Sequence, residues 1–243
     1  MGSRSFALRR PHAVNLLRDA TEYLLGGPKV GGASEARLRR WMAQPEQALA
    51  LPHARARYVV VDTETGGGNA RRGRRLVAIG AVGVGRTRID FSDCFSTVLR
   101  HEPAVAHAAP AFAGTCGPAQ QTAVEPAPGM LDFLDYLRKA PLVAFDAGTE
   151  RKVVEREMKS TLGVAFRHPW IDLAVLLPAL FPDAGCTTRA AWLDRFGLAA
   201  GAWRDPPGDA FVTAQLFLVV VEAATRAGMV NASQLTARRP AAG

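Results

Sequence analysis

The chain has few cysteines and no repeated segments, and both absences exclude classes of protein. Its 243 residues contain only three cysteines, which lie far apart as Cys94, Cys116 and Cys186. Without a CxxC pair or a Cys/His cluster, neither a disulfide framework nor a zinc site is supported, and a reducing compartment is favoured. No segment recurs at a fixed period, which argues against a solenoid or a propeller.

Long hydrophobic runs are also missing. No apolar run of the length that a signal peptide needs follows Arg10 near the N-terminus. The most apolar stretch, residues 211–224, is interrupted by three polar residues, Thr213, Gln215 and Glu222. We expect this stretch to be too short to span a bilayer. Together these absences predict a soluble cytoplasmic protein.

Acidic residues are outnumbered by basic ones. The chain has 30 Lys and Arg against 22 Asp and Glu, which gives a formal net charge of +8. A basic surface concentrates polyanions, and contacts of Lys or Arg with phosphates release condensed counterions. The charge is therefore compatible with a nucleic-acid partner, although a merely solvated basic surface gives the same count.

Residues 1–57 carry most of this charge, with ten Lys and Arg against four acids, a difference of +6. We predict a basic helical N-terminal arm over residues 1–56, with one helix over 14–25 and a second through 37–42 that Ser34 caps. Two interpretations stay open. The arm either holds nucleic acid or a protein partner, or it packs on the domain that follows.

From residue 57 onward the pattern is that of an α/β domain, which we place at residues 57–228. Strands are predicted over 57–62, 76–84, 90–98 and 142–145, with the second and third antiparallel. Helices are predicted over 129–139, 149–162, 173–180 and 188–196 and from 208 to about 227, and residues 229–243 are predicted as a flexible tail. This order indicates a ribonuclease H-like mixed sheet flanked by helices, with its first three strands antiparallel and the later ones parallel.

Two carboxylates stand at the end of the first predicted strand. Asp62 and Glu64 are two residues apart, so they point to the same side of an extended chain. At the end of a buried strand such carboxylates are costly unless they are paired or bind a cation. Hard divalent cations such as Mg²⁺ take oxygen ligands of this kind, and two such ions can drive phosphodiester hydrolysis.

Several segments resemble the DnaQ-like (DEDD-type) 3′–5′ exonucleases. Residues 60–66, Val-Val-Asp-Thr-Glu-Thr-Gly, are similar to the first exonuclease motif, and residues 140–150 to the second. Residues 170–198 resemble the stretch between the second and third motifs, and residues 208–217 resemble the third motif with its helix. The resemblance covers about residues 57–225, in the order and spacing of the family.

The resemblance implies a metal-dependent 3′–5′ exonuclease that releases nucleotides from single-stranded ends. Its two Mg²⁺ or Mn²⁺ ions would be held by the four carboxylates that match the family motifs, Asp62, Glu64, Glu150 and Asp209. Glu150 departs from the family, which has the shorter Asp there, and Asp146 lies one helical turn earlier as an alternative ligand.

The third motif departs further. Arg204 stands where the DEDDh subfamily has the His that acts as general base, and Asp205 stands where the DEDDy subfamily has a Tyr. Arginine stays protonated and cannot accept the proton of the attacking water, so we expect a loss of about 10²–10⁴-fold in rate. Arg204 either binds a phosphate at the catalytic site or is an exposed loop residue. Pro206 and Pro207 are expected to change how Asp209 enters its helix.

A basic turn follows the first motif. It contains four arginines (Arg71, Arg72, Arg74 and Arg75), which we predict to bind the nucleic-acid backbone together with Thr65. A solvated hairpin tip is the alternative interpretation. Two hypotheses for the whole chain follow: a metal-dependent 3′–5′ exonuclease, or a catalytically inactive module on the same fold that binds nucleic acid or a partner.

Overall fold

A five-stranded mixed sheet forms the centre of the fold in the computed structural model, which describes residues 29–66, 74–101, 123–198 and 206–236. The strands are β1 (Arg57–Gly66), β2 (Arg75–Gly85), β3 (Arg88–Val98), β4 (Leu142–Ala144) and β5 (Trp170–Asp172), and their order across the sheet is β3-β2-β1-β4-β5. β1, β2 and β3 pair antiparallel, whereas β4 pairs parallel with both β1 and β5. The predicted mixed sheet is confirmed.

Helices cover both faces of this sheet. They are α1 (Gly32–Ala43), α2 (Pro126–Leu137), α3 (Ala147–Thr161), α4 (Leu173–Leu180), α5 (Arg189–Phe196), α6 (Pro206–Arg226) and α7 (Ala232–Thr236), with a 3₁₀ turn at Pro182–Ala184. The sequence prediction found α2 to α6 with small errors at their ends. It missed β5 as a strand, because three residues carry too little alternation to be recognised.

Strand β1 is buried on both faces, so alternate residues belong to two hydrophobic cores. Tyr58 and Val60 pack with α4, α5, α6 and α7, and the ring of Tyr58 meets Phe217 edge to face at 4.9 Å between centroids. Val59 and Val61 pack on the other face with α1, α2 and α3. The strand therefore directs successive side chains beyond Val61 to opposite faces as well.

The described part of the predicted N-terminal arm belongs to the second core. Leu38 and Trp41 of α1 are buried there, and the Arg37 guanidinium donates to Asp132 and Asp135 of α2 at 2.7 and 2.5 Å. Residues 29–56 thus follow the packing interpretation. The prediction that Ser34 caps this helix was wrong, because α1 already begins at Gly32 with Gly31 as its N-cap. The helix predicted over 14–25 lies outside the described residues.

The predicted flexible tail is wrong for residues 229–236. Met229, Ala232 and Leu235 are buried in the first core, and the chain forms the short helix α7 there. Apolar spacing over five residues was too short a signal for the sequence to reveal this helix. Residues 237–243 lie outside the described part.

Helix α6 is the central helix of the first core. Its 21 residues make it long and apolar enough to cross a membrane by length and composition alone. The sequence analysis considered only residues 211–224 and therefore underestimated the length of this apolar helix. The helix packs along β1 and β2, and side chains such as Leu216, Phe217 and Val220 are fully buried. Its apolar character is thus explained by burial in the protein.

Candidate active site

Three of the predicted carboxylates converge at the end of β1. Asp62 and Glu64 continue the face of Tyr58 and Val60, so they point toward α6, which supplies Asp209 from its first turn. Asp62, Glu64 and Asp209 each offer a carboxylate oxygen, and these oxygens all lie within 4.8 Å of one another. A β-bulge between Glu64 and Thr65 marks where the β1–β2 pairing shifts its register.

The first turn of α6 reaches this point because β2 has a glycine beside Asp62. Gly80 pairs with Asp62, and a Cβ on Gly80 would lie 2.0 Å from the carbonyl carbon of Pro206 and 2.1 Å from the nitrogen of Pro207. The two prolines start the helix, a position for which proline is preorganised. They therefore do not divert Asp209 from its helix, contrary to the expectation from the sequence.

Glu150 reaches the centre from the other face of the sheet. It lies in the first turn of α3, and its Oε2 accepts a hydrogen bond of 2.6 Å from the Thr63 hydroxyl. Thr63 points to that face because it lies between Asp62 and Glu64 in the strand. Glu150 is outside the cluster of three, but its charge acts on Asp62. Asp146, the alternative ligand, is engaged as the N-cap of α3 through Thr149.

An arginine that the sequence analysis did not identify lies between two of the carboxylates. Nη1 of Arg189 donates to Asp62 Oδ1 at 2.9 Å, and Nη2 donates to Asp209 Oδ1 at 2.7 Å. Nη1 also lies 3.4 Å from the hydroxyl of Thr213, one helical turn after Asp209. The guanidinium thus joins the end of β1 to the beginning of α6, and its side chain is 31% exposed.

The backbone of Arg189 is held in place by a helix cap and by core packing of the helix that it begins. Arg189 is the first residue of α5, and Thr188 caps that helix by accepting a hydrogen bond from the Ala191 amide. Trp192 and Leu193 of the same helix are buried in the first core. No local pattern singles out one arginine at a helix start among the many arginines of this chain. Only the position of α5 beside the end of β1 reveals its role.

The site carries more negative charge than Arg189 balances. Burial, followed by the charge of Glu150, raises the pKa of Asp62 to about 8, although Arg189 acts in the opposite direction. Burial also raises the pKa of Glu150 to about 7, against the hydrogen bond from Thr63. Converging carboxylate oxygens with uncompensated charge are the donor set that a hard divalent cation takes, so these residues fit Mg²⁺ or Mn²⁺.

The predicted nucleic-acid-binding residues are described only in part. Nη2 of Arg74 donates to the Thr65 carbonyl at 2.8 Å, and Arg75 pairs with Gly66, so both arginines adjoin the strand end that carries Glu64. Three predicted site residues, Arg71, Arg72 and Arg204, lie outside the described residues. The three described histidines are engaged elsewhere: His53 bonds to Tyr58, His101 to the Leu76 carbonyl and His168 to the Ala140 carbonyl.

Comparison with solved structures identifies the fold. The cell-death related nuclease 4 (CRN-4) is similar over 71% of this chain and 66% of its own, with a TM-score of 0.55 and 15% identity. The nuclease domain of 3′hExo, a DEDDh family member bound to rAMP, is similar over 76% of this chain and 98% of its own, with a TM-score of 0.54 and 11% identity.

Exonuclease X, in complex with 5′ overhanging duplex DNA, is similar over 74% of this chain and 97% of its own, with a TM-score of 0.50 and 20% identity. No protein-family model matches the chain, and no curated protein matches it in sequence. The chain has the ribonuclease H-like fold of the DEDDh exonucleases, as the sequence resemblance predicted.

Proposed function

We propose that this chain is a metal-dependent 3′–5′ exonuclease that removes nucleotides from single-stranded nucleic-acid ends. The observation that carries the proposal is the convergence of Asp62, Glu64 and Asp209 at the end of the central strand of an exonuclease fold. The three carboxylates come from two segments that resemble exonuclease motifs, residues 60–66 and 208–217, which are far apart in the chain.

Divalent metal held by Asp62, Glu64, Glu150 and Asp209 would activate the attacking water and stabilise the leaving oxygen. The chain's own residues prepare this centre. Thr63 fixes the Glu150 carboxylate by its 2.6 Å hydrogen bond. The neighbouring arginines Arg74 and Arg75, with Arg71, Arg72 and Thr65, would hold the phosphates of the strand.

Proton transfer is the weak step of the proposed reaction. Arg204, which replaces the general base of the DEDDh pattern, cannot accept a proton. The described histidines are bound elsewhere in the fold. We therefore propose a slow enzyme, with about 10²–10⁴-fold less activity than one with a general base. The free thiols of Cys94 and Cys186 are compatible with action in the reducing cytoplasm.

A second candidate is a catalytically inactive module that grips nucleic-acid ends or a protein partner. The contact of Arg189 with both Asp62 and Asp209 favours it, because a guanidinium already neutralises part of the carboxylate charge. Such a module would bind single strands in a salt-sensitive manner without cleaving them. The two candidates differ in hydrolysis and agree in binding.

Nucleotide release from a 3′-labelled single strand, with DNA and RNA in parallel and Mn²⁺ present, tests the proposal. We expect slow release by the wild type and none by Asp62→Asn, and faster release by Arg204→His. Equal release by wild type and Asp62→Asn would reject the carboxylate centre as the source. No release by wild type or Arg204→His, with salt-sensitive binding retained, would establish the inactive module.

A further inference from the structure

We propose that Arg189 is a resident cation of the carboxylate centre, that it takes the place of one of two metal ions, and that the centre binds a single divalent ion. This inference rests on the proposed function for the presence of a metal site. It concerns the number of ions in that site, which the fold alone does not determine.

The contacts of the guanidinium define what it replaces. Its two terminal nitrogens each meet one carboxylate oxygen, on Asp62 at 2.9 Å and on Asp209 at 2.7 Å. It therefore bridges a strand and a helix in the manner of a cation shared by two carboxylates. The bridge uses only Oδ1 of each Asp. The second oxygens of Asp62 and Asp209 and the carboxylates of Glu64 and Glu150 are left for one divalent ion.

The charge of the guanidinium acts against a second ion. Four ionised carboxylates carry four negative charges, so that with Arg189 one divalent ion leaves a net charge of −1 and two divalent ions leave +1. A second divalent ion beside the guanidinium would give the half-buried centre an excess positive charge and place three cations close together. Repulsion between like charges is strong where water is partly excluded. One divalent ion is therefore the stable occupancy while Arg189 stays.

Arg189 is not easily displaced. A guanidinium remains charged at all accessible pH values, so the site cannot be cleared by deprotonation. The residue is held by Asp62, Asp209 and Thr213, and it begins a helix that is capped and anchored in the core. Rotation of the side chain away from the two carboxylates would leave both without a counter-charge in a half-buried site, which is costly unless another cation takes its place.

Counting bound Mn²⁺ on the full chain tests this inference. The amount of free Mn²⁺ during titration, read from its electron paramagnetic resonance signal, gives the number of ions bound per chain. We expect one ion for the wild type and two for Arg189→Met, a doubling, since the place of the guanidinium becomes free. Arg195→Met is the matched control, because it removes one exposed charge from the same helix. It should still bind one ion.

Thermal melting gives an independent readout. Without metal, Arg189→Met should melt at a lower temperature than the wild type, because Asp62 and Asp209 lose their counter-charge, and Mn²⁺ should raise its melting temperature more than that of the wild type. Two ions in the wild type, one ion in Arg189→Met, or none in either would overturn the proposal. If Arg189→Met does not fold, the count for the wild type decides alone.

The counts separate this inference from the proposed function. One ion per wild-type chain and two in Arg189→Met, with no release of nucleotides, would uphold the role of Arg189 and reject the exonuclease. Release by a wild-type chain that holds two ions would uphold the exonuclease and reject the resident cation.

Discussion

Strand β1 has an arginine–carboxylate contact at each end, and the two contacts are built differently. At its start, Arg57 donates from Nε and Nη2 to the two oxygens of Asp93 at 2.7 and 2.8 Å in a one-to-one pair. Burial acts to lower the pKa of Arg57, but the contact with Asp93 raises it above the ordinary value. At its end, Arg189 divides its two terminal nitrogens between Asp62 and Asp209. The first contact is complete in itself, whereas the second leaves carboxylates without a partner charge.

The difference between the two contacts indicates that the start of β1 serves stability and that its end serves function. A bidentate pair of one cation and one anion holds β1 to β3 and has no reason to attract another charge. One guanidinium among several carboxylates leaves a site with net negative charge. Such a site attracts a metal cation or a ligand that brings a metal cation with it. We expect changes at the end of β1 to affect chemistry and changes at its start to affect stability.

The largest expected effect is on nucleotide release. Asp62→Asn should lower release by at least about 100-fold, since loss of a supporting residue of a metal site alone costs about 10–100-fold. Asp93→Asn should leave the rate per folded chain within about threefold while it lowers stability. Release from a 3′-labelled single strand in Mn²⁺ measures both. A comparable loss of release in both variants would show that the two ends of β1 are not distinct in function.

Two glycines of β2 sharpen the comparison, since Gly80 pairs with Asp62 and Gly85 pairs with Arg57. Gly80→Ala should destabilise the protein by about 3 kcal/mol, because its Cβ would overlap the backbone of Pro206 and Pro207. It should also move Asp209 away from Asp62 and weaken Mn²⁺ binding.

Gly85→Ala is the matched control, because a Cβ there meets nothing within 4 Å. It should change stability by less than about 0.5 kcal/mol. Urea denaturation and Mn²⁺ titration measure the two effects. Equal stabilities of the two variants would disprove the close approach of α6 to β2.

His168 is a partly buried imidazole whose hydrogen bond goes to a backbone carbonyl and not to a charged group. Burial lowers its pKa to about 4, and Nε2 donates to the Ala140 carbonyl at 2.6 Å. In the unfolded chain the imidazole takes up a proton near pH 6.5, whereas the folded chain excludes that proton until about pH 4. Its contribution to stability is therefore present above pH 6.5 and is lost as the pH falls toward 4.

The wild type should lose about 2 kcal/mol more stability than His168→Gln between pH 7 and pH 4.5. Urea denaturation at a series of pH values measures the stability of each protein. The carboxylates are the same in both proteins, so their effect cancels when the two profiles are subtracted. Parallel pH profiles for the two proteins would mean that the imidazole takes up its proton at the same pH in the folded chain as in the unfolded chain.

The smallest effect is expected on the protein surface. Arg226 and Glu222 form an exposed pair one helical turn apart on α6, with 3.3 Å between Nη2 and Oε1. Glu222→Ala should change the free energy of unfolding by less than about 0.5 kcal/mol, because solvent and salt screen such a pair. If Glu222→Ala lowers the free energy of unfolding as much as Asp93→Asn does in urea denaturation, burial does not determine the strength of the two arginine–carboxylate pairs.

The sequence predicted the features that depend on local patterns. Alternation and helical spacing revealed most strands and helices, and Asp62, Glu64 and Asp209 lie in segments that resemble known motifs. Arg189 depends instead on how α5 packs beside β1, across 127 residues of chain. The side of the sheet on which Glu150 lies likewise follows from the topology. Contacts of this kind become visible only once the strand order is known.

The strand order also has a consequence for how the chain folds. The pairing of β1 with β2 and β3 joins neighbouring segments, whereas β4 and α6 reach β1 only after long stretches of chain. Local pairings form early and distant ones late, because closing a long loop costs more entropy. We therefore expect Asp62 and Glu64 to lie on an early hairpin and to meet Asp209 in one of the last steps of folding. The centre is completed only when the whole domain is, so a partly folded chain cannot carry its chemistry.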